Sequence, residues 1–403
     1  MMRDETEKKV QRWEEQRWLL DHIVKVVGLD WDQGRTRRIL GNCGSAVGGD
    51  LRAIGQRVNK FNDIGREFAR AARRRQESGE KAEKAGYFVT ARENYFIAAQ
   101  LYCHAEWPLF EDDNAQKIAW EEAKDHCFDK YIAYADHKIE RVEIPFEGKS
   151  LSALLHLPNG VQGKGAAILA IPGMDSVKEE GSLYGDTLLE RGLAVLRLDG
   201  PGQGTSNLRK IRVTATNYAE AGKAALELLV RRPEIDAEKI AIFGVSMGSY
   251  WGTLVGATAG NRVKACAVSN VCLEPGMNSI FEKASPTFKL NYMYMSGYQD
   301  EESFNRFAST LDAREAASRI TCPYLVLAGE DDELCPIEHV YRHVERIPTA
   351  KTLIVCEGEK HSIANPAPRT YVADWLKDRL EGKPARSEKI YVKLSGEEVV
   401  TPL

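Results

Sequence analysis

Five residues constrain this chain more than any others: Gly244, Val245, Ser246, Met247 and Gly248, which fit the pattern G-x-S-x-G. Lys239 to Phe243 precede them and read as a buried strand. Ser249 to Ala257 follow and read as a helix packed closely through small residues. A strand, a sharp turn and a helix hold a serine hydroxyl above the end of a sheet. Gly244 and Gly248 leave room where a Cβ would clash between strand and helix. The competing reading is a glycine-rich turn with an incidental serine, so the downstream residues decide.

A hydroxyl at neutral pH is a weak nucleophile and needs a base, which in turn needs an acid to orient it. For this turn the chain order is Ser, then Asp or Glu, then His. Pro323 to Ala328 is an apolar run of strand type that ends in the acidic loop Gly329 to Pro336. Thr352 to Cys356 is the next strand, and it runs into a loop that carries His361. Loops after parallel strands converge on one rim of a sheet. Asp331 and Asp332 are adjacent, so only one can face the imidazole; the spacing from Gly329 and Pro336 selects Asp332. The other histidines lie in helical or strand contexts. The roles follow: Ser246 attacks, His361 moves the proton, and Asp332 fixes the tautomer and stabilises the imidazolium.

Such a reaction develops an oxyanion, which needs fixed donors. One is expected from the backbone N–H of Met247. The second is expected from the loop after the early strand Ala166 to Ile171, at Met174, with Gly173 allowing the turn. Another glycine-rich stretch, Leu198 to Ser206, lacks the Lys-Ser/Thr of a phosphate loop and the third glycine of a dinucleotide fingerprint. It reads as a tight turn at the mouth of the site. No cofactor and no metal site are expected.

The run Pro172 to Glu180, then Asp199 to Gly204, then Gly244 to Gly248, resembles the FrsA-like branch of the α/β-hydrolase superfamily. Within that branch it is most similar to the hydrolases of pyridine-compound degradation and to fungal polyketide-shortening hydrolases of pigment synthesis. The resemblance runs from about Trp13 to Leu380 and includes the helical stretch Ala91 to Ala99. It implies an α/β-hydrolase fold, with a mostly parallel sheet, helices on both faces and an N-terminal helical cap domain. It also implies cleavage of a carbon–carbon bond next to a ketone, whereas other members of the superfamily cleave esters. The pyridine-degrading relatives place an acidic residue near the substrate after the strand that follows the nucleophile helix. Glu274 stands nearest to that place here.

The length of 403 residues allows two parts. Up to residue 138, apolar residues recur at helical spacing. Helices are expected around Trp13 to Ile23, over Ile54 to Ala72, over Phe88 to Tyr102 and over Ile118 to Tyr134. Arg66, Arg70, Arg73, Arg74 and Arg75 form a basic face that reads as solvated. Strands begin at Ile139 and Leu151, and alternating strand–helix units carry the catalytic domain to about residue 385. An excursion over 274–308, rich in Met and aromatic residues, reads either as a pocket-lining lid or as ordinary packing. Residues 386–403 form a tail that alternates like a short hairpin. Tyr95 and Tyr102 lie seven apart on one helix face and are candidate walls of the substrate pocket, with the helical core as the alternative.

Lys and Arg total 55 against 59 Asp and Glu, a net charge of −4. That balance argues against nucleic acid and against anionic lipid as partners. No run approaches ~18 consecutive apolar residues, so no membrane span is expected, and the start has no signal-peptide core. The eight cysteines show no C-x-x-C pair and read as reduced thiols of a cytoplasmic protein. The expected partner is a small-molecule substrate; a homodimer is compatible with the chain. Three functions follow. The first is a serine hydrolase of a C–C bond in an aromatic or polyketide-derived β-dicarbonyl compound. The second is an esterase, lactonase, amidase or acyltransferase with the same triad. The third is a non-catalytic binding protein on the same fold, which an intact triad disfavours.

Overall fold

The computed structural model describes residues 10–365 and 367–403, without the side chains of residues 182–185. The chain opens with helices: α1 Gln11–Val27, α2 Arg35–Cys43, α3 Gly48–Gly55, α4 Asp63–Lys84, α5 Phe88–Glu106 and α6 Ala115–Ala133. One expectation needs correction, and one helix, α2, was not expected. The stretch from Ile54 to Ala72 is not one helix, because α3 ends at Gly55 and α4 starts at Asp63. Asp63 accepts from the backbone N–H groups of Asn59 and Lys60, which fixes the intervening turn. Helix α2 escapes the periodicity argument because its buried residues are only Arg35 and Ile39. An inward face that carries arginine leaves no apolar stripe to read.

The strands are β1 Lys138–Phe146, β2 Lys149–Leu157, β3 Gly165–Ile171, β4 Ala194–Asp199, β5 Ile235–Val245, β6 Ala265–Ser269, β7 Tyr324–Gly329, β8 Lys351–Cys356, β9 Glu388–Val392 and β10 Glu398–Pro402. They form one ten-stranded sheet in the order β1-β2-β4-β3-β5-β6-β7-β8-β9-β10. β4 through β9 run parallel, while β1 and β2 at one end and β10 at the other are antiparallel to their neighbours. The final segment is therefore a hairpin whose first strand extends the sheet. Side chains alternate across the sheet. Ile240 and Ile242 enter the apolar layer on one face, and Ala241 and Phe243 enter the layer on the other. The N-terminal helices close a separate core around Phe61, Phe68, Tyr95 and Phe128.

From β3 the chain moves to β4 on one side and then crosses to β5 on the other. This reversal leaves a crevice beyond the carboxyl ends of β3 and β5, the place where open parallel sheets bind ligands. Helices α7 Ser182–Leu189, α8 Gly204–Leu208, α9 Asn217–Arg231 and α10 Met247–Ala259 follow in the crossovers.

Buried charges join the helical region to the sheet. Lys124 of α6 has no exposure. Its Nζ lies 2.7 Å from Glu121 and 3.4 Å from Glu179. Lys178 lies 2.9 Å from Glu179 and 3.0 Å from Asp199 at the end of β4. Burial opposes the charge on Lys124, but Glu121 and Glu179 outweigh it and hold its pKa well above the ordinary lysine value. Buried charges of this kind survive only when paired. The pairing therefore ties the loop after β3 to α6.

The excursion over 274–308 is mostly packing. Phe281, Tyr292, Phe304 and Phe307 form one aromatic cluster, with ring centroids 5.1 to 6.2 Å apart. The basic residues of α4 face acids: Arg66 and Arg70 pair with Glu67, and Arg75 with Asp50. Among the described residues, no helix is long and apolar enough to cross a membrane. The eight cysteines are all free thiols.

Candidate active site

Ser246 sits between β5 and α10 with φ 57° and ψ −125°. A non-glycine residue rarely holds such angles, and strain of this kind gathers at functional turns. Its backbone N–H donates to Ser269 O at 2.9 Å, which pins the turn to β6. A Cβ on Gly248 would lie 2.2 Å from Ile171 O, so α10 can approach β3 only with glycine there.

The Ser246 hydroxyl lies 2.8 Å from His361 Nε2. His361 Nδ1 lies 2.9 Å from Asp332 Oδ2 and 3.1 Å from Oδ1. Asp332 Oδ1 also accepts from the backbone N–H groups of Leu334 and Cys335, at 2.8 and 3.0 Å. These bonds fix the carboxylate behind the imidazole. Asp331, by contrast, is exposed. Burial disfavours the imidazolium, but Asp332 outweighs it, so the pKa of His361 is raised above the ordinary histidine value.

Met247 is the first residue of α10, where a helix has no internal acceptor for its N–H. Met174 follows Gly173 in the loop after β3. A Cβ on Gly173 would lie 3.0 Å from Ser246 Cβ, so this loop passes directly over the nucleophile. Gln203 braces it. The Gln203 amide donates to Gly173 O at 2.8 Å, and its carbonyl accepts from Tyr218 Oη at 2.6 Å. The glycine-rich turn after β4 thus supports the loop after β3. Met174, Met247, Cys272, Ile280 and Phe288 close a narrow crevice beside Ser246. Cys335 is buried, with its thiol pushed up to about 12 by burial, and its sulfur accepts from Leu273 N at 3.3 Å.

A cavity of about 480 Å³ opens in front of Ser246 and His361. Residues 33–41, around and within α2, form one wall; the loop after β3 and residues 361–364 form others. Asp175 holds the first wall in place. It accepts from Gln33 Nε2 and Arg35 Nη1, both at 2.9 Å, and lies 3.5 Å from Arg38. Burial raises the cost of its charge, yet Arg38 and Arg35 outweigh this and hold its pKa below the ordinary carboxylate range. Arg37 donates to the backbone oxygen of Ser362, next to His361. His104 Nε2 approaches Glu180 at 3.3 Å, but burial drives the imidazole pKa well down and the Glu180 pKa up. That contact is not an ion pair.

Three candidate residues lie elsewhere. Tyr95 and Tyr102 belong to the core of the helical region and do not line the cavity: Tyr95 Oη donates to Glu83 at 2.7 Å and Tyr102 Oη to Gln76 at 3.1 Å. Glu274 does not line it either. Its carboxylate accepts from Ser279 N at 2.7 Å and lies 3.7 Å from His339. Periodicity missed Gln33, Arg35, Arg38 and Asp175, because partners some 140 residues apart leave no local pattern. Among the described residues no group of three or more His, Cys, Asp or Glu side chains is placed to hold a metal ion.

A family model described as Esterase FrsA-like matches residues 62–301. The chain belongs to this FrsA-like family. The match covers α4 to α10 and the Ser246 turn, and it ends before Asp332 and His361. The FrsA-like chain is 27% identical to the 2,6-dihydropseudooxynicotine hydrolase of Paenarthrobacter nicotinovorans, over 76% of its own length and 81% of that protein. It is 30% identical to the 20-hydroxy-prefusarin hydrolase of Gibberella moniliformis, over 60% of its length and 59% of that protein. The crystal structure of the 2,6-dihydroxy-pseudo-oxynicotine hydrolase aligns with a TM-score of 0.75 at 23% identity, covering 87% of this chain and 98% of that one. Identity that low shows the fold: this FrsA-like hydrolase has the α/β-hydrolase architecture with an N-terminal helical region.

Proposed function

We propose that this FrsA-like hydrolase uses Ser246, His361 and Asp332 as a catalytic triad to cleave a C–C bond adjacent to a ketone in an aromatic or polyketide-derived β-dicarbonyl compound. The continuous relay from Ser246 Oγ through His361 to Asp332, with steps of 2.8 and 2.9 Å, carries the reading. The names of the relatives above and the resemblance to ketone-cleaving hydrolases support the choice of bond.

Ser246 Oγ attacks the ketone carbon as its proton passes to His361 Nε2. Asp332 accepts from Nδ1–H and stabilises the imidazolium. The N–H groups of Met247 and Met174 hold the oxyanion, and losing one such donor costs about 3 kcal/mol in the barrier. The oxyanion then collapses and the C–C bond breaks. Its electron pair leaves as the enolate of the second ketone and takes the proton from His361. Water, deprotonated by His361, cleaves the acyl-serine and releases a carboxylic acid. The N-terminal helices act as a cap domain: α2 covers the cavity and keeps bulk water from the enolate before it is protonated.

The same triad would cleave an ester. Turnover of p-nitrophenyl acetate and of 1-phenylbutane-1,3-dione by the purified enzyme separates the two. The diketone is expected to give equal amounts of acid and methyl ketone, with a kcat/KM well above that of the ester. Ester turnover with no diketone cleavage would assign the triad to ester chemistry.

A further inference from the structure

Arg197 lies on β4, inside the fold, and lines the same cavity as Ser246 and His361. It is only 3% exposed. Several other cations border this cavity, and they have acids within hydrogen-bond or ion-pair distance: Arg35 and Arg38 hold Asp175, and Lys178 holds Asp199 and Glu179. Arg197 is compensated more weakly. Its nearest acid among the described residues is Asp186 on α7, an ion-pair contact at 3.6 Å without a hydrogen bond, and that side chain is 58% exposed to solvent. Among the described residues, Nε and Nη2 of Arg197 are buried with no hydrogen-bond partner. Burial pulls the Arg197 pKa below its ordinary value, and Asp186 only partly offsets this. A buried cation left so poorly compensated is costly to the fold.

Two details point to a ligand. Nε and Nη2 form one edge of the guanidinium, the fork that accepts both oxygens of a planar carboxylate. Gly181 lies over that edge, where an ideal Cβ would be 2.6 Å from both Cδ and Nε. Gly181 also lines the cavity, so only a residue without a side chain leaves Arg197 its place in that wall.

We propose that Arg197 binds a carboxylate of the substrate, at a subsite of the cavity away from the carbon that Ser246 attacks. This rests on Ser246 being the nucleophile of that cavity, and it narrows the substrate class to acidic ketones. Binding energy from such a remote group serves to orient the reacting carbon.

The test uses competition. 3-Phenylpropanoate, 4-phenylbutanoate and 5-phenylpentanoate, each beside its primary amide, are measured for protection of Ser246 against a fluorophosphonate probe. In wild type at least one carboxylate is expected to protect at a concentration about tenfold or more below that of its amide. The ratio is taken within each variant, so a general loss of reactivity cancels. Arg197→Met and Arg197→Gln are expected to bring the ratio close to one, while Arg197→Lys retains part of it. Equal protection by acid and amide in wild type across the series would overturn the proposal without needing any variant. A tenfold preference that persists in both Arg197→Met and Arg197→Gln would also overturn it, by placing the anion on another residue. Labelling of Ser246 in the absence of competitor reports separately on the hydrolase reading, so the two failures are distinguishable.

Discussion

Replacing Ser246 by alanine is expected to lower kcat about 10⁶-fold, the scale on which triad nucleophiles fail. Fluorophosphonate labelling should disappear with it. The hydroxyl stands 2.8 Å from the His361 base on a turn whose backbone is strained to present it. Alanine keeps the Cβ and removes only the attacking atom, so the fold and the cavity are retained. The residual rate then measures what oxyanion donors and binding achieve without covalent catalysis. Thermal unfolding of the variant should match wild type. Undiminished labelling of Ser246→Ala would place the nucleophile elsewhere.

Asp332→Asn is expected to lower kcat about 10⁴-fold with little change in KM, because the amide favours the wrong imidazole tautomer while the geometry survives. Asp331→Asn should be mild, since Asp331 is exposed and its backbone N–H, bonded to Glu359 O at 2.9 Å, is unaffected. The pH profile gives a second readout. His361 must be neutral to take the serine proton, so activity falls as pH drops through its pKa. Asp332 holds that pKa above the ordinary value of about 6.5. The acid limb of kcat/KM should therefore lie above about pH 6.5 in wild type and move to lower pH in Asp332→Asn. A limb that stays in place would mean that Asp332 is not the group acting on the base.

The positions of Ser246, His361 and Asp332 are legible in the sequence because each is set by local chemistry. Glycines force one turn, and short apolar strands end in the two others. Counting from Gly329 to Pro336 even separates Asp332 from its neighbour. The sheet is legible for the same reason, since its buried strands are short apolar runs between turn signals. The helical region is less so. Seven-residue spacing puts Tyr95 and Tyr102 on one face, but it does not say which face meets the cavity, and both turn inward to the helical core. Helix α2 carries the cavity wall on arginines, so it lacks the apolar stripe that marks a helix. Glu274 stands nearest to where the resemblance implies an acid beside the substrate, yet at the turn before Pro275 its carboxylate accepts from Ser279 N instead. Arg197 hides inside an apolar strand, where a lone arginine reads as an interruption.

Ser246 is expected to be acylated by a ketone during C–C cleavage. Rapid mixing of the enzyme with 1-phenylbutane-1,3-dione, acid quench and intact-protein mass spectrometry tests it directly. A transient acetyl or benzoyl adduct is expected, which maps to the peptide carrying Ser246, appears with the first equivalent of methyl ketone and decays as the acid is released. Cleavage of the diketone with Ser246 unmodified at every time point, at a rate that Ser246→Ala retains, would contradict it.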